Sequence, residues 1–290
     1  MYTMRPAEFE YHQPTRLDEA ISLLGSLEDS RPLAGGHSLL PMMKLRLAMP
    51  AALVDLGRIP GLDEIAASNG GLRIGAMATH AAVAGSEVAI GIAPVIPETA
   101  AAIGDLQVRN CGTIGGSVAH ADPGADYPTV LKALGATITA QGAGGEREIA
   151  ADDFFRGIFE TALEPGELVT SVTVPATPAG TGAAYVKHRH PASGYTIVGA
   201  AAVVEVEGGN STEAQLTIGG VTSPPVHATA ATEAVKGGPG SPEAIAAAAE
   251  KVSDAIVVAT GDAYASGEYR THLAEVLAAR ALTKAFERAA

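Results

Sequence analysis

Between Arg31 and Pro50 the chain reads RPLAGGHSLLPMMKLRLAMP. A short apolar strand, Pro32–Ala34, breaks at Gly35-Gly36-His37-Ser38 and resumes with helical texture. A strand that enters a helix through a tight Gly loop leaves backbone N–H groups unused by either element, and these can converge on an anion. Ser38 adds a hydroxyl, and the helix N-terminus adds a favourable dipole. Glycine pairs alone say little. They recur at Gly70, Gly144, Gly208, Gly219 and Gly237, where a turn needing positive φ accounts for them. What flanks the loop at Gly35 sets it apart. By itself it suits a phosphate, a metal or a covalently attached flavin, or is a bare turn.

A second stretch, CGTIGGSVAHADPGADYP from Cys111 to Pro128, has the same ingredients. Thr113, Gly115, Gly116 and Ser117 combine small side chains with hydroxyls. A diphosphate carries two charges and needs donors on more than one side, so two such loops suit it better than one. Neither loop is a Walker A, because the chain contains no Gly-Lys pair. No GxGxxG follows a strand, which argues against a Rossmann dinucleotide fold.

The rest of the chain reads as mixed helix and sheet. PTRLDEAISLLGSL predicts a first helix with Thr15 as cap, Asp18 at the third helical position, and Leu17, Ile21, Leu24 and Leu27 on one face. AALVDLGRI predicts a short strand. From Gly71 the texture changes: GLRIGAMATH, GATITAQGA and GELVTSVTVP are short, Gly-bounded strands. HAAVAGSEVAIGIAPVIPETAAAI reads as helical pieces broken by Pro94 and Pro97. The Pro/Gly-rich run Pro175–Gly182 marks a domain boundary. Beyond it, AAYVKHRH, YTIVGAAAVVEVEGG and AQLTIGGVTS predict three strands of an antiparallel sheet, with Gly208-Gly209-Asn210 as a turn. Ser241-Pro242 opens an Ala-rich helix, and a last helix spans about 269–289.

Composition narrows the function. The 290 residues suffice for about two domains, and 47% hydrophobic with 18% charged residues is an ordinary globular balance. A net charge of -13 argues against nucleic acid or an anionic membrane surface as partner. Cys111 is the single cysteine, so the chain cannot build an internal disulfide or a Cys-based zinc or iron–sulfur site, and it fits a reducing cytoplasm. MYTMRPAEFEYH lacks the apolar core of a secretion signal, and no apolar run approaches the ~20 residues of a membrane span.

Candidate chemistry is sparse. The eight histidines form no HExxH and no close Cys/His cluster. His188 and His190 in HRHP suit a metal less well than a strand end at the surface. Asp122 and Asp126 read as an acid/base pair, or as makers of Asx turns and partners of a sugar hydroxyl. No GxSxG and no Ser/His/Asp constellation stands out. The chain offers a nucleotide cradle and no catalytic residue of its own.

Two passages, RPLAGGHSLLPMMKLRLAMP and QVRNCGTIGGSVAHADPGADYP, resemble the FAD-binding medium subunit of the molybdenum hydroxylases. This is the family of xanthine dehydrogenase and aerobic carbon monoxide dehydrogenase, and the likeness is greatest to the medium chain of the latter. FEYHQPTRLDEAISLL, LVDLGRIPGL, LRIGAMATH, EPGELVTSVTVP, IGGVTSPPVHA and EYRTHLAEVLAARAL follow in the family's order, so the resemblance covers nearly the whole chain.

The resemblance implies an α+β fold. A two-part FAD-binding domain of the PCMH (vanillyl-alcohol-oxidase-like) type would occupy residues 1–177, with a small β/α subdomain to about 57 and a larger α+β subdomain after it. A C-terminal α/β domain of the carbon monoxide dehydrogenase flavoprotein type, with a three-stranded antiparallel sheet and helices, would occupy 178–290. Ala34, Gly35, Gly36, His37, Ser38 and Leu39 would form the first pyrophosphate loop, and Thr113, Ile114, Gly115, Gly116 and Ser117 the second. Asp126 would approach the ribityl or adenosine part of FAD. Leu168, Val169 and Lys187 would lie near the flavin ring, and Tyr195 would shield one of its faces. The family pattern has an acidic residue where this chain has Gly194, and Asn where it has Ser117.

On this reading FAD is bound non-covalently. A large partner subunit carries the molybdenum cofactor, and a small one carries two [2Fe–2S] clusters. Electrons pass from the clusters to FAD and on to an external acceptor, within a dimer of heterotrimers. Two other readings stay open: a self-contained flavin oxidase of the same superfold, with His37 bonded to the flavin, and a non-catalytic nucleotide-binding module.

Overall fold

A computed structural model describes residues 4–290. Residues 1–3, the start of the stretch read above as lacking a secretion signal, lie outside the described residues.

The first unit is a pair of β–α–β crossovers. β1 (Glu10–His12) leads through α1 (Leu17–Ser26) to β2 (Ser30–Leu33), and the Gly loop and α2 (Leu39–Lys44) lead on to β3 (Ala52–Asp55). The strands are parallel in the order β1-β3-β2, as helical crossovers require. Ala20 and Ile21 of α1 pack on Val54, Leu56 and Ile59. Thr15 is not the cap of α1. Arg16 occupies that position without a side-chain cap bond, and its guanidinium pairs with Asp18, which stands second in the helix. Glu19 satisfies the exposed backbone instead, accepting from the Thr15 amide at 3.3 Å.

The second unit opens with the hairpin β4 (Ile65–Ser68) and β5 (Gly71–Gly75). Six short helices follow: α3 (His80–Ala84), α4 (Glu87–Ile92), α5 (Val95–Ala102), α6 (Leu106–Cys111), α7 (Ile114–His120) and α8 (Tyr127–Ala133). Next come β6 (Thr137–Gly142), β7 (Gly145–Ala150), α9 (Ala151–Phe154), the small pair β8 (Phe155–Gly157) and β9 (Glu160–Thr161), and β10 (Leu168–Pro175). The antiparallel sheet runs β4-β5-β10-β6-β7, with the almost wholly buried β10 at its centre. Pro97 does not break a helix. Pro94 caps α5, and Pro97 falls in its first turn, where a missing N–H leaves no bond unmade.

After residues 176–180, which are neither helix nor strand, the third unit begins. β11 (Thr181–Arg189), β12 (Thr196–Glu207), β13 (Asn210–Gly219) and β14 (Val226–His227) form an antiparallel sheet in chain order. The three long strands are those expected; β14 is two residues long and carries no periodic signal. Gly208 and Gly209, both at positive φ, turn β12 into β13. α10 (Thr229–Val235), α11 (Pro242–Ala249), a 3-10 turn (Glu250–Ala255) and α12 (Gly267–Ala289) follow. Ser241 caps α11 through the Ala244 amide, and Ser266 caps α12, which starts at Gly267, two residues before Tyr269.

α8 joins the second unit to the third. Every one of its residues is buried, and it packs on β12 and β13. The approach is so close that a Cβ on Gly219 would overlap the Thr129 hydroxyl. α12 covers the opposite side of the third sheet, packing along β11 and β12. Covered on both faces at short range, β12 is built from small residues, Gly199-Ala200-Ala201-Ala202.

Candidate functional site: a cleft between two glycine loops

The two Gly-rich stretches meet at one cleft of about 790 Å³, within the range of small-molecule and cofactor sites. Its walls come from the first loop, the segment Ala76–His80, the second loop, β10 and the β11–β12 hairpin.

In the first loop His37 folds its ring back, Nδ1 lying 2.9 Å from the Gly35 carbonyl. Among the described residues, the amides of Gly35, Gly36, His37 and Ser38 have no hydrogen-bond acceptor. Four unpaired N–H groups in a row make a concavity suited to an anion. α2, at six residues, is too short for a large dipole, so these amides carry the attraction.

The second loop is built differently, and here the expectation of a second set of free amides is corrected. Ile114 N donates to Ala78 O at 3.0 Å, and Gly115 N donates to Ala76 O at 2.9 Å. Gly116 N donates to the Thr113 hydroxyl oxygen at 3.1 Å, and Ser117 N to Thr113 O at 3.0 Å. The loop zips onto segment 76–80, with Thr79 bridged to Thr113 and His80 N donating to Gly112 O at 2.9 Å. The amides of residues 114–117 are thus spent. What the loop presents is a bare glycine surface at Gly116, with the Thr113 and Ser117 hydroxyls beside it.

The loops touch. A Cβ on Gly35 would overlap the Cys111 carbonyl oxygen and stand 2.7 Å from Gly112 Cα. Ala34 lies 3.6 Å from where a Cβ of Gly116 would be. One ligand can therefore touch both loops.

Of the residues named from the sequence, Ala34 to Leu39, Thr113, Gly115, Gly116, Ser117, Asp126, Leu168, Val169 and Tyr195 line the cleft. Two do not. Ile114 points into the core, fully buried. Lys187 stands behind the wall, where its ammonium lies 2.8 Å from Asp126 and donates to the Gly194 carbonyl at 3.0 Å. Asp126 also accepts from Tyr185 Oη at 2.9 Å and Thr196 Oγ1 at 3.0 Å. Burial pushes the Asp126 carboxyl above its ordinary range, and the Lys187 charge and the hydrogen bonds oppose this without cancelling it. Of the two aspartates weighed as an acid/base pair, Asp122 makes an Asx turn, accepting from Gly124 N at 2.8 Å.

Tyr195 reaches into the cleft from the β11–β12 hairpin and stays 44% exposed. Its ring packs against Gly124. Burial, followed by Asp122, pushes the phenol up, so it stays protonated. The sequence reading missed His80, His120 and Phe159, which also line the cleft. His120 and Phe159 stack with centroids 4.9 Å apart, and Phe159 holds a left-handed φ of 56. A lone histidine or phenylalanine outside a motif carries no signal that would have singled it out.

Two family models match the chain. Residues 7–177 match the FAD binding domain in molybdopterin dehydrogenase, and residues 183–285 match the CO dehydrogenase flavoprotein C-terminal domain. The carbon monoxide dehydrogenase medium chain of Afipia carboxidovorans is 40% identical over 99% of both chains. The glyceraldehyde dehydrogenase medium chain of Sulfolobus acidocaldarius is 36% identical, over 96% of this chain and 98% of that one. A chain of the solved carbon monoxide dehydrogenase from Hydrogenophaga pseudoflava superposes with a TM-score of 0.94 at 39% identity, covering 98% of this chain and 99% of that one. The protein belongs to the FAD-binding medium subunits of the molybdopterin dehydrogenases. It is thus an oxidoreductase subunit of the xanthine dehydrogenase family.

Proposed function

We propose that this chain is the FAD-carrying electron-transfer subunit of a heteromeric molybdenum hydroxylase. It would take electrons from the [2Fe–2S] clusters of a small partner subunit and deliver them to an external acceptor. The observation that carries the reading is the contact of the two glycine loops beside four unpaired amides, in a chain whose relatives are medium chains of dehydrogenases. We take 1–177 as the FAD-binding part and 178–290 as the C-terminal part.

The residues fit the cofactor. Gly35, Gly36, His37 and Ser38 offer main-chain donors to its phosphates, with Ala34 and Leu39 framing them. Thr113, Gly116 and Ser117 close the other side with hydroxyls and a surface free of Cβ atoms. Ile114 and Gly115 hold that loop in place, through the core and through the Ala76 carbonyl. Asp126 and Lys187 form the wall past which the ribityl or adenosine part runs. Leu168 and Val169 give an apolar floor, and Tyr195 covers the ring against water.

FAD, when bound, supplies one- and two-electron redox chemistry; the protein fixes its position and tunes its potential. The molybdenum cofactor belongs to a large partner subunit. We expect a dimer of such heterotrimers, held in the cytoplasm, where a chain with one cysteine has no need of an oxidising compartment. Among the described residues no helix is long and apolar enough to cross a membrane.

The test is purification of the chain alone and together with co-expressed large and small subunits. The expected result is one FAD per chain, released on denaturation, and flavin reduction by substrate only in the three-subunit complex. A colourless chain that takes up no FAD would instead support a bare nucleotide-binding or assembly module. Substrate oxidation by the isolated chain, with flavin retained after denaturation, would support a self-contained oxidase using His37.

A further inference from the structure

We propose that His80 is a cofactor-binding residue, presenting a neutral Nε2–H to the cleft as hydrogen-bond donor to an oxygen of the dinucleotide where the two glycine loops meet. The proposal rests on the FAD reading above.

His80 is the first residue of α3. It is 4% exposed, yet it lines the cleft. Its position is fixed at both ends of the residue. The backbone N–H donates to Gly112 O at 2.9 Å, and the ring lies over the same glycine, so that a Cβ on Gly112 would stand 2.8 Å from Nε2. Gly112 lines the cleft beside Gly35 and Thr113, at the junction of the loops.

The two ring nitrogens differ. Nδ1 is sealed in the interior and, among the described residues, has no hydrogen-bond partner. Nε2 is not sealed; it faces the Gly112 side. Burial, with His37 and Arg109 adding repulsion, pushes the imidazole down to about 4, so the ring is neutral near neutral pH and carries a single N–H. A sealed N–H with no acceptor is costlier than a sealed nitrogen lone pair, because orphaned donors are the rarer and less tolerated case. That cost puts the proton on Nε2, facing the cleft.

A donor at that point complements the structure. The second loop has spent its amides at 114–117, two on segment 76–80 and two on Thr113, and His80 ends that segment. The imidazole thus supplies on this side what the main chain of the second loop does not. Being uncharged, it can be buried without a counter-ion.

The test uses the full chain, stripped of flavin and titrated with FAD, and the His80→Phe and His80→Asn variants. His80→Phe fills the volume without a donor and is expected to weaken FAD binding about tenfold, whereas His80→Asn restores an N–H and recovers most of it. Nitrogen-15 NMR of the wild-type ring is expected to report a neutral Nε2–H form whose resonance shifts when FAD is added. Equal FAD affinity in wild type and His80→Phe, or an Nδ1–H form in the wild type, overturns the proposal and leaves the FAD reading intact. Failure of the wild-type chain to take up FAD overturns both. The NMR measurement decides the matter should His80→Phe not fold.

Discussion

Gly35 in the first loop and Cys111 at the head of the second are in direct backbone contact, with no room for a side chain between them. Segments far apart in sequence thereby share one wall, and the cleft that wall bounds is the site of the proposed cofactor. The contact makes two weak signals into one specific feature.

Gly35→Ala tests that contact. Its methyl group has to displace the Cys111 carbonyl, which is main chain and cannot rotate away. Flavin content is expected to fall at least tenfold, with a loss of about 1–3 kcal/mol in stability. Gly25→Ala in α1 is the matched control, since nothing lies within 4 Å of the added methyl. It should leave flavin content unchanged and raise helix stability by up to ~1 kcal/mol. Flavin-to-protein ratios and urea midpoints measure both.

The sequence made the loops legible but not their division of labour. Thr113 to Ser117 read as a second set of anion donors because small and hydroxyl residues look alike whether their amides are free or bonded. Only the path of Ala76–His80, which takes the Ile114 and Gly115 amides, and the fold of the loop onto Thr113, which takes those of Gly116 and Ser117, separate the cases. The same applies to two glycines that suggest themselves as diphosphate contacts. A Cβ on Gly115 would meet Ala76 Cα and O at 2.7 Å, and one on Gly36 would meet Leu40 Cδ1 at 2.9 Å. Valine at either position would disturb packing and loop geometry rather than plug the cleft. Three strands of each main sheet were readable because their Gly boundaries and β-branched runs are local; β4, β7 and β14 were not read. Thr15 and Pro97 were misread because a cap and a break each depend on where the helix starts, to within one residue. Lys187 behind the wall, and His80 in it, are tertiary facts with no local pattern.

The Asp126–Lys187 pair spans the second and third units with both side chains buried. Removing one partner strands the other charge. Asp126→Ala and Lys187→Met are each expected to cost about 3–5 kcal/mol. The double variant should cost clearly less than the two combined, which a double-mutant cycle in urea would measure. Additive losses would mean that the pair is not coupled.

His80 makes stability depend on pH. Its ordinary value of 6.5 applies to the unfolded chain, and burial lowers it to about 4 in the folded one. Between these values the unfolded chain binds the proton and the folded one does not. The stability is therefore complete above pH 6.5 and is lost as the pH falls towards 4, by an amount on the order of 3 kcal/mol. Carboxylates held low by cations, such as Glu167 beside Arg147, add a loss in the same direction. The measurement is thus the difference between wild type and His80→Asn across a pH series of urea denaturations. The variant should show a flatter slope between pH 4 and 6.5.

Arg270 ties the start of α12 to the third sheet. It donates to Ile197 O at 3.2 Å, to Gly220 O at 2.8 Å and to Asp262 at 2.6 Å, all from a buried guanidinium. Lysine keeps the charge but lacks the planar fork that reaches these acceptors together. Arg270→Lys is expected to lose about 2 kcal/mol, read as a lower urea midpoint with an unchanged slope.

The central claim is that the unpaired amides of Gly35 to Ser38 grip the phosphates of FAD while the second loop, its own amides already bonded, closes over them. Amide hydrogen exchange of the flavin-free chain, with and without FAD, tests it most directly. The account predicts that FAD slows exchange strongly at residues 35–38 and only weakly at 114–117, and that riboflavin, which lacks the phosphates, does neither. Protection confined to 114–117, or none at 35–38 with FAD bound, would contradict it.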